Sequence, residues 1–292
     1  MKTLYLECNM GAAGDMLTAA LLELHPDPAD FVKRFNALGI PKVQMTAETA
    51  IKCGITGTHV SITVDGEEEE SHDVSLHDHE HHHDHDHHDH VHEHHHEHDH
   101  DHHDHDHHHH DHNHEHHHHH HHHAGMHEIE EIVAGLNIPE KVQQDVLAVY
   151  GLIAEAESHA HGRPVTEIHF HEVGTMDASA DITAVCLLMA ELAPEQVLAS
   201  AVHVGSGQVR CAHGILPVPA PATAYILRDV PIYGGRVRGE LCTPTGAAIL
   251  KHFVSDFGAM PVMRVHAIGY GMGKKDFEAA NCVRALLGDT EN

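Results

Sequence analysis

The chain has 292 residues, 45 acidic against 16 basic side chains, 44 histidines and no tryptophan, for a formal net charge of −29. That length fits one large domain or two modest ones. The basic residues form no run, aromatics are only 4%, and no stretch of 18 apolar residues exists, which argues against a nucleic-acid-binding surface and a membrane-spanning helix.

In chain order, residues 2–7 (KTLYLE) read as a strand, and CNMGAAG as a loop. DMLTAALLEL has the apolar spacing of a helix, with Asp15 in its first turn, where a carboxylate suits the dipole. The opening MKTLYLECNMGAAGDM lacks the apolar run of a signal peptide. Pro26 and Pro28 end the first helix, and DFVKRFNALGI reads as a second, stopped by Gly39 and Pro41. Residues 42–52 and 55–64 form a predicted β pair, in which Val60, Ile62 and Val64 alternate as on a half-buried strand.

A low-complexity tract follows. Residues 77–123 hold 32 histidines and 13 acidic residues in 47 positions. With almost no apolar side chains it cannot offset its ordering entropy, so a long disordered loop is expected. Thirteen negative charges lie there and Glu67 to Glu70 add four. Near pH 6.5 roughly half of the imidazoles carry a proton, so the tract is a pH-tunable polyampholyte rather than a fixed acid tail.

Beyond the tract, HEIEEIVAGL and EKVQQDVLAVYGLIAEAESHAHG read as helices, the second with Val142, Val146, Val149 and Ile153 on one face. Residues 165–171 (VTEIHFH) read as a strand and DASADITAVCLLMAEL as a buried helix. Short β-like runs then alternate with Gly and Pro turns: VLASAVHVGSG, GILPVPAPA and DVPIYGG. TPTGAAILKHFVSDFG reads as a helix capped by Thr243 or Thr245, and MRVHAIGYGMGKK and NCVRALLG as strands. The interleaving predicts an α/β fold, with a mixed α+β arrangement also possible. One globular domain is expected, built from residues 1–76 and 124–288 and interrupted by 77–123.

Four segments carry chemistry. Neutral imidazole binds Zn, Cu, Ni and Co, and an irregular run gives many exchangeable sites. Candidate metal ligands in the tract are His81, His82, His83, His94, His95, His96, His107, His108 and His109. The second segment is EIHFHEVGTMDASADI. On a strand His169 and His171 share a face, Glu172 follows, and a helix from Met176 puts Asp177 and Asp181 at i and i+4. This can be a divalent-metal site or an acid–base pair, or, more simply, a surface His pair with an N-cap Asp. Third, in HVGSGQVRCAHGILPVPAPAT, Gly205 and Gly207 permit close backbone approach to a ligand, and Cys211 and His213 have strand spacing; a structural turn explains the glycines nearly as well. Fourth, GYGMGKKDF offers Lys274 and Lys275 to an anion, but matches no phosphate-loop pattern, so a surface turn competes. Six cysteines, at 8, 53, 186, 211, 242 and 282, form no CxxC pair, which points to free thiols in a reducing cytoplasm.

Together YLECNMGAAGDM, HFHEVGTMDASADI, CAHGILPVPAPAT, ELCTPTGAAIL and GYGMGKKDF, in that order, resemble the LarC family of nickel-insertion proteins. The resemblance covers the chain outside the tract. It implies insertion of nickel into a thiolated pyridinium mononucleotide through two S–Ni bonds and one C–Ni bond, a cyclometallase activity of lyase class. It implies consumption of CTP with Mg²⁺ or Mn²⁺, and a product used by lactate racemase-type apoenzymes. Forming a C–Ni bond releases a ring proton, and His169, His171 and Glu172 are the candidate bases. Members of the family continue into a C-terminal CTP-binding domain that this chain lacks, so a separately encoded C-terminal part and an oligomer are expected partners. The alternative is a nickel store or metallochaperone without catalysis of its own.

Overall fold

β1 (Lys2–Glu7) enters the core at once, with its four central residues buried. The following α1 (Gly14–Leu22) has eight of nine residues buried, Asp15 being the exception. α2 (Pro28–Asn36) shows the cues of a surface helix: Asp27 caps it by accepting from the Asp30 amide, Pro28 sits in the first turn, and Phe31 and Phe35 form the buried stripe. β2 (Val43–Lys52) and β3 (Ile55–Val64) form a hairpin closed by Cys53 and Gly54, both at positive φ, as a two-residue turn requires. β4 (His72–Asp73) follows. The computed structural model describes residues 1–67, 72–73, 125–168, 176–211 and 214–291.

α3 (Met126–Gly135) and the long α4 (Glu140–His161) come next, and Gly162 ends α4 in the left-handed conformation. α5 (Met176–Leu192) buries 13 of its 17 residues, so it lies between layers rather than on the surface. Short strands follow: β5 (Gln196–Ala199), β6 (Val202–His203), β7 (Gly205–Ser206), β8 (Gln208–Cys211) and β9 (Gly214–Pro217). Then come α6 (Pro221–Ile226), β10 (Ile232–Tyr233), β11 (Gly239–Glu240), α7 (Pro244–Phe253), β12 (Asp256–Phe257), β13 (Met263–Met272) and β14 (Cys282–Thr290). Thr243 caps α7 by accepting from the Gly246 amide.

The result is a mixed α/β fold. Seven strands form one sheet in the order β12–β5–β1–β14–β13–β3–β2. β1 pairs parallel to β5 and antiparallel to β14, so the first strand lies beside the last. α1 packs on β13 and β3 and against α5, and α4 covers α5, α6 and α7 from the outer side. The opposite face of β13 shows Arg264, His266 and Ile268 to solvent, the usual state of a sheet covered on one side. Contacts gather Met1–Val74 and His123–Asn292 into one compact unit; Ser75–His122 form a second, outside the described residues. No helix among the described residues is long and apolar enough to cross a membrane.

Two glycines explain how α1 reaches the sheet. A Cβ at Gly271 would lie 1.8 Å from the Met16 carbonyl oxygen, and one at Gly269 2.0 Å from that of Ala20. The helix backbone therefore rests directly on the strand, and Gly269 and Gly271 of GYGMG serve helix packing. On its other side, α5 is tied to α4 by the Tyr150 phenol, fully buried and 2.6 Å from Ser179 Oγ.

The structure departs from the predicted elements in three places. Residues 165–167 form a 3₁₀ turn, not the start of a strand; Pro164 fixes its φ at −58° and accepts from the Glu167 amide. Residues 169–171 of that predicted strand lie outside the described residues. α6 went unread because six residues opened by Pro221 carry too little periodicity. α7 stops at Phe253, since Val254 turns extended and the Ser255 amide donates to Val197 O, leading into β12 beside β5.

Candidate functional site

Three elements meet at one point: the N-terminus of α1, the first turns of α5, and the end of β13. The loop after β1 is fixed first. The Gly11 amide donates to Cys8 O, Ala12 to Leu241 O, and Thr243 to Ala12 O, so the CNMGAAG loop is laced to the entrance of α7. α1 then begins at Gly14, where a Cβ would lie 2.4 Å from Asp181 Oδ2. Only glycine allows the α1 backbone this close to the carboxylate of α5.

Asp181 is buried at 8% exposure, and its Oδ1 has no hydrogen-bond partner. Burial pushes its pKa well above the usual carboxylate range, and the charges of Asp177 and Asp15 push the same way. Lys274, in the loop after β13, opposes them. Thr18 lies near enough to temper the shift, yet the buried Thr18 Oγ1 completes no hydrogen bond of normal geometry. Asp15, Asp177, Asp181 and Lys274 thus form one electrostatic cluster. Asp181, pushed toward its protonated form and roofed by backbone, is suited to hold a proton. Among the described residues, no three His, Cys, Asp or Glu side chains stand close enough to hold a metal ion.

The loop carrying Lys274 and Lys275 is stapled. Asn281 Nδ2 donates to Lys275 O at 2.9 Å, the Gly273 amide to Asn281 O, and Lys52 Nζ to Lys274 O while pairing with Asp276 at 2.6 Å. The structure therefore brings together Asp177, Asp181 and Lys274 of the residues the sequence singled out. It adds Asp15, within the motif GAAGDM, and Thr18, two residues beyond it, neither of which helix periodicity gave reason to rank. Gly205 and Gly207 lie elsewhere. A Cβ at Gly205 would meet Gly239 O at 2.0 Å, so protein fills that space, whereas nothing lies within 4 Å at Gly207, whose φ is +94°. The tract histidines, and His169, His171, Glu172 and His213, lie outside the described residues.

A second polar group sits under β10. His203 is 5% exposed, and its ring stacks on Tyr233 at 4.7 Å and 4°. Cys8, just past the end of β1, and Cys242, just before α7, are fully buried, and burial drives the Cys8 thiol up to about 12. Cys242 is raised by burial first and by Cys8 second.

The model of a family described as nickel insertion protein matches residues 4–292. The chain is 36% identical over 296 residues to the pyridinium-3,5-bisthiocarboxylic acid mononucleotide nickel insertion protein of Clostridium kluyveri, covering 100% of this chain and 63% of that one. It is 40% identical to the protein of the same description from Clostridium acetobutylicum, covering 100% and 65%, and 33% identical to that from Desulfitobacterium hafniense, covering 99% and 59%. The chain therefore spans less than two thirds of the length of these curated relatives. No solved structure matches it. The family match runs through all the elements that build the Asp181 cluster, and on it the chain belongs to the nickel insertion protein family, the LarC family.

Proposed function

We propose that this chain handles the nickel in nickel insertion into pyridinium-3,5-bisthiocarboxylic acid mononucleotide, the reaction its relatives are named for. The observation that carries the reading is the family match over residues 4–292. Nickel is the metal substrate. The 32 histidines of residues 77–123 collect it at exchangeable imidazole sites, and 1–76 with 124–288 form the working domain. His169, His171 and Glu172 immediately precede α5 in sequence and supply ligands or the base that takes the ring proton. Asp177 and Asp181 complete that set from the helix, and Lys274 and Lys275 offset the charge of an anionic substrate. CTP with Mg²⁺ or Mn²⁺ is held by a C-terminal part corresponding to the stretch of the relatives that this chain does not span. The product serves a lactate racemase-type apoenzyme in the cytoplasm.

A second reading, a nickel store or metallochaperone, is favoured by the tract's composition alone. The assay that separates them is nickel insertion into the thiolated precursor with CTP. It compares the chain alone, the chain with a relative's C-terminal part, and the chain lacking 77–123. Insertion in the two-part mixture is expected, with tract deletion slowing it at limiting nickel only. Tight nickel binding without insertion in any mixture moves the chain to the store reading. Loss of insertion on tract deletion at saturating nickel overturns the accessory role of the histidines.

A further inference from the structure

Apart from the Asp181 cluster, residues 233–240, YGGRVRGE, form a strap between β10 and β11. It is anchored at both ends: Tyr233 pairs with His203, and Gly239 with Ser206. Ser206 Oγ also donates to Val237 O at 2.9 Å, fixing the middle. Arg236 and Arg238 are exposed while Val237 between them is half-buried. Neither has an ion-pair or hydrogen-bond partner among the described residues. Arg34, Lys42, Lys52, Lys141 and Arg284, by contrast, are paired with carboxylates.

Beneath the strap lies an acceptor without a donor. His203 Nδ1 is 2.9 Å from Asn9 O, and a carbonyl only accepts, so Nδ1 carries the hydrogen and Nε2 the lone pair. Nε2 is buried with no partner. Its roof is Gly235, where a Cβ would lie 2.3 Å away. Gly234 and Gly235 are exposed and bring no side chain over the imidazole, so the cover over Nε2 at this point is the Gly235 backbone.

The two features have opposite hydrogen-bonding sense. Paired guanidiniums offer donors in a fork that fits a phosphate, which only accepts when dianionic. The imidazole lone pair needs a donor, which such a phosphate lacks and a sugar hydroxyl supplies. A molecule with both groups a few ångströms apart is a nucleoside monophosphate. We propose that the Gly234–Gly239 strap binds the mononucleotide substrate, Arg236 and Arg238 taking the phosphate monoester and His203 Nε2 accepting a ribose hydroxyl; the choice of mononucleotide rests on the nickel-insertion reading. Gly207, with open space at its α-carbon on the segment that anchors the strap, leaves room beside it.

Calorimetry on the full chain tests this with three probes: nicotinic acid mononucleotide, nicotinic acid riboside and inorganic phosphate. The mononucleotide is expected to bind more tightly than either fragment. Arg236→Gln and Arg238→Gln each weaken it by about 10-fold and together by about 100-fold, with riboside binding unchanged. His203→Gln weakens the mononucleotide and the riboside but not phosphate, and the exposed Lys33→Gln, which removes the same charge from α2, changes nothing. Wild-type affinity for the mononucleotide in the double arginine variant, or no mononucleotide binding by the wild-type chain, overturns the proposal. Equal weakening by Lys33→Gln reduces it to general charge and overturns it as well. Nickel insertion is scored separately: an unaltered KM for the precursor in the double arginine variant refutes the strap and leaves the function standing. Failure of the wild-type two-part mixture to insert nickel refutes the function, while the calorimetry still decides the strap.

Discussion

Replacing Gly271 by alanine tests whether the sheet positions α1 directly. The new Cβ would lie 1.8 Å from Met16 O and 2.6 Å from the Ala20 nitrogen, against an ordinary contact that begins at 3.4 Å. Both neighbours are backbone, so no side chain can rotate away, and α1 must retreat by about 1.6 Å from contacts of this kind. α1 also rests on Asp181 through Gly14, so the retreat presses the helix into α5 on its other side. Overpacking of this kind costs about 3–5 kcal/mol, beyond the common range because the helix is central. In a domain of this size that lowers Tm by about 10–15 °C. Urea denaturation followed by circular dichroism measures it, with Gly151→Ala as the contrast. Gly151 lies inside α4 with nothing within 4 Å of a new Cβ, so alanine there should stabilise by about 0.5–1 kcal/mol. A Gly271→Ala chain within about 1 kcal/mol of wild type would show that α1 is not seated on the strand backbone.

Asp181→Asn should alter the pH dependence of stability. The native carboxyl keeps its proton to higher pH than the unfolded one, so wild-type stability falls as pH rises from the unfolded pKa through the raised native value. The variant lacks that loss, so its urea midpoint should gain on wild type between acidic and mildly alkaline buffer with chelator present; parallel profiles refute the buried, proton-holding carboxyl. Tyr150→Phe should cost about 1–2 kcal/mol, and combined with Ser179→Ala less than the sum, since the two share one buried contact at 2.6 Å. Asp145 is 7% exposed and holds Lys141 at 2.6 Å and His252 at 2.9 Å, joining α4 to α7. Asp145→Ala should destabilise by about 1–3 kcal/mol, and a loss no larger than that of Lys141→Ala alone would remove His252 from the bridge.

Much of this fold is readable from local pattern, and its omissions have physical causes. β1, β2, β3 and α4 carry full periods of alternation or helical spacing, and α2 and α7 carry their own caps in Asp27 and Thr243. The stretch 165–168 reads as a strand because Val165, Thr166 and Ile168 have strand propensity, while Pro164 sets a 3₁₀ turn over 165–167. Pairings such as β1 between β5 and β14 join residues nearly 290 apart and leave no local trace. The site divides the same way. Asp177 and Asp181 follow from helical spacing once α5 begins at Met176. Asp15, Thr18 and Lys274 join them only through the stacking of α1 on β13 and α5. The orphan lone pair of His203 depends on a carbonyl at Asn9, 194 positions away.

On the proposed function, the burial of three thiols bears on what a chain that handles nickel must avoid. Thiolate outbids imidazole and carboxylate for soft and borderline metals, and a metal caught there leaves slowly. Cys8, Cys186 and Cys242 are sealed in the core, where desolvation holds each in its neutral form. The fold thus hides those three from passing ions, while Cys53 is exposed and Cys211 and Cys282 are half-buried. On that reading, a chain that has to give its metal up gains turnover from those three traps being closed.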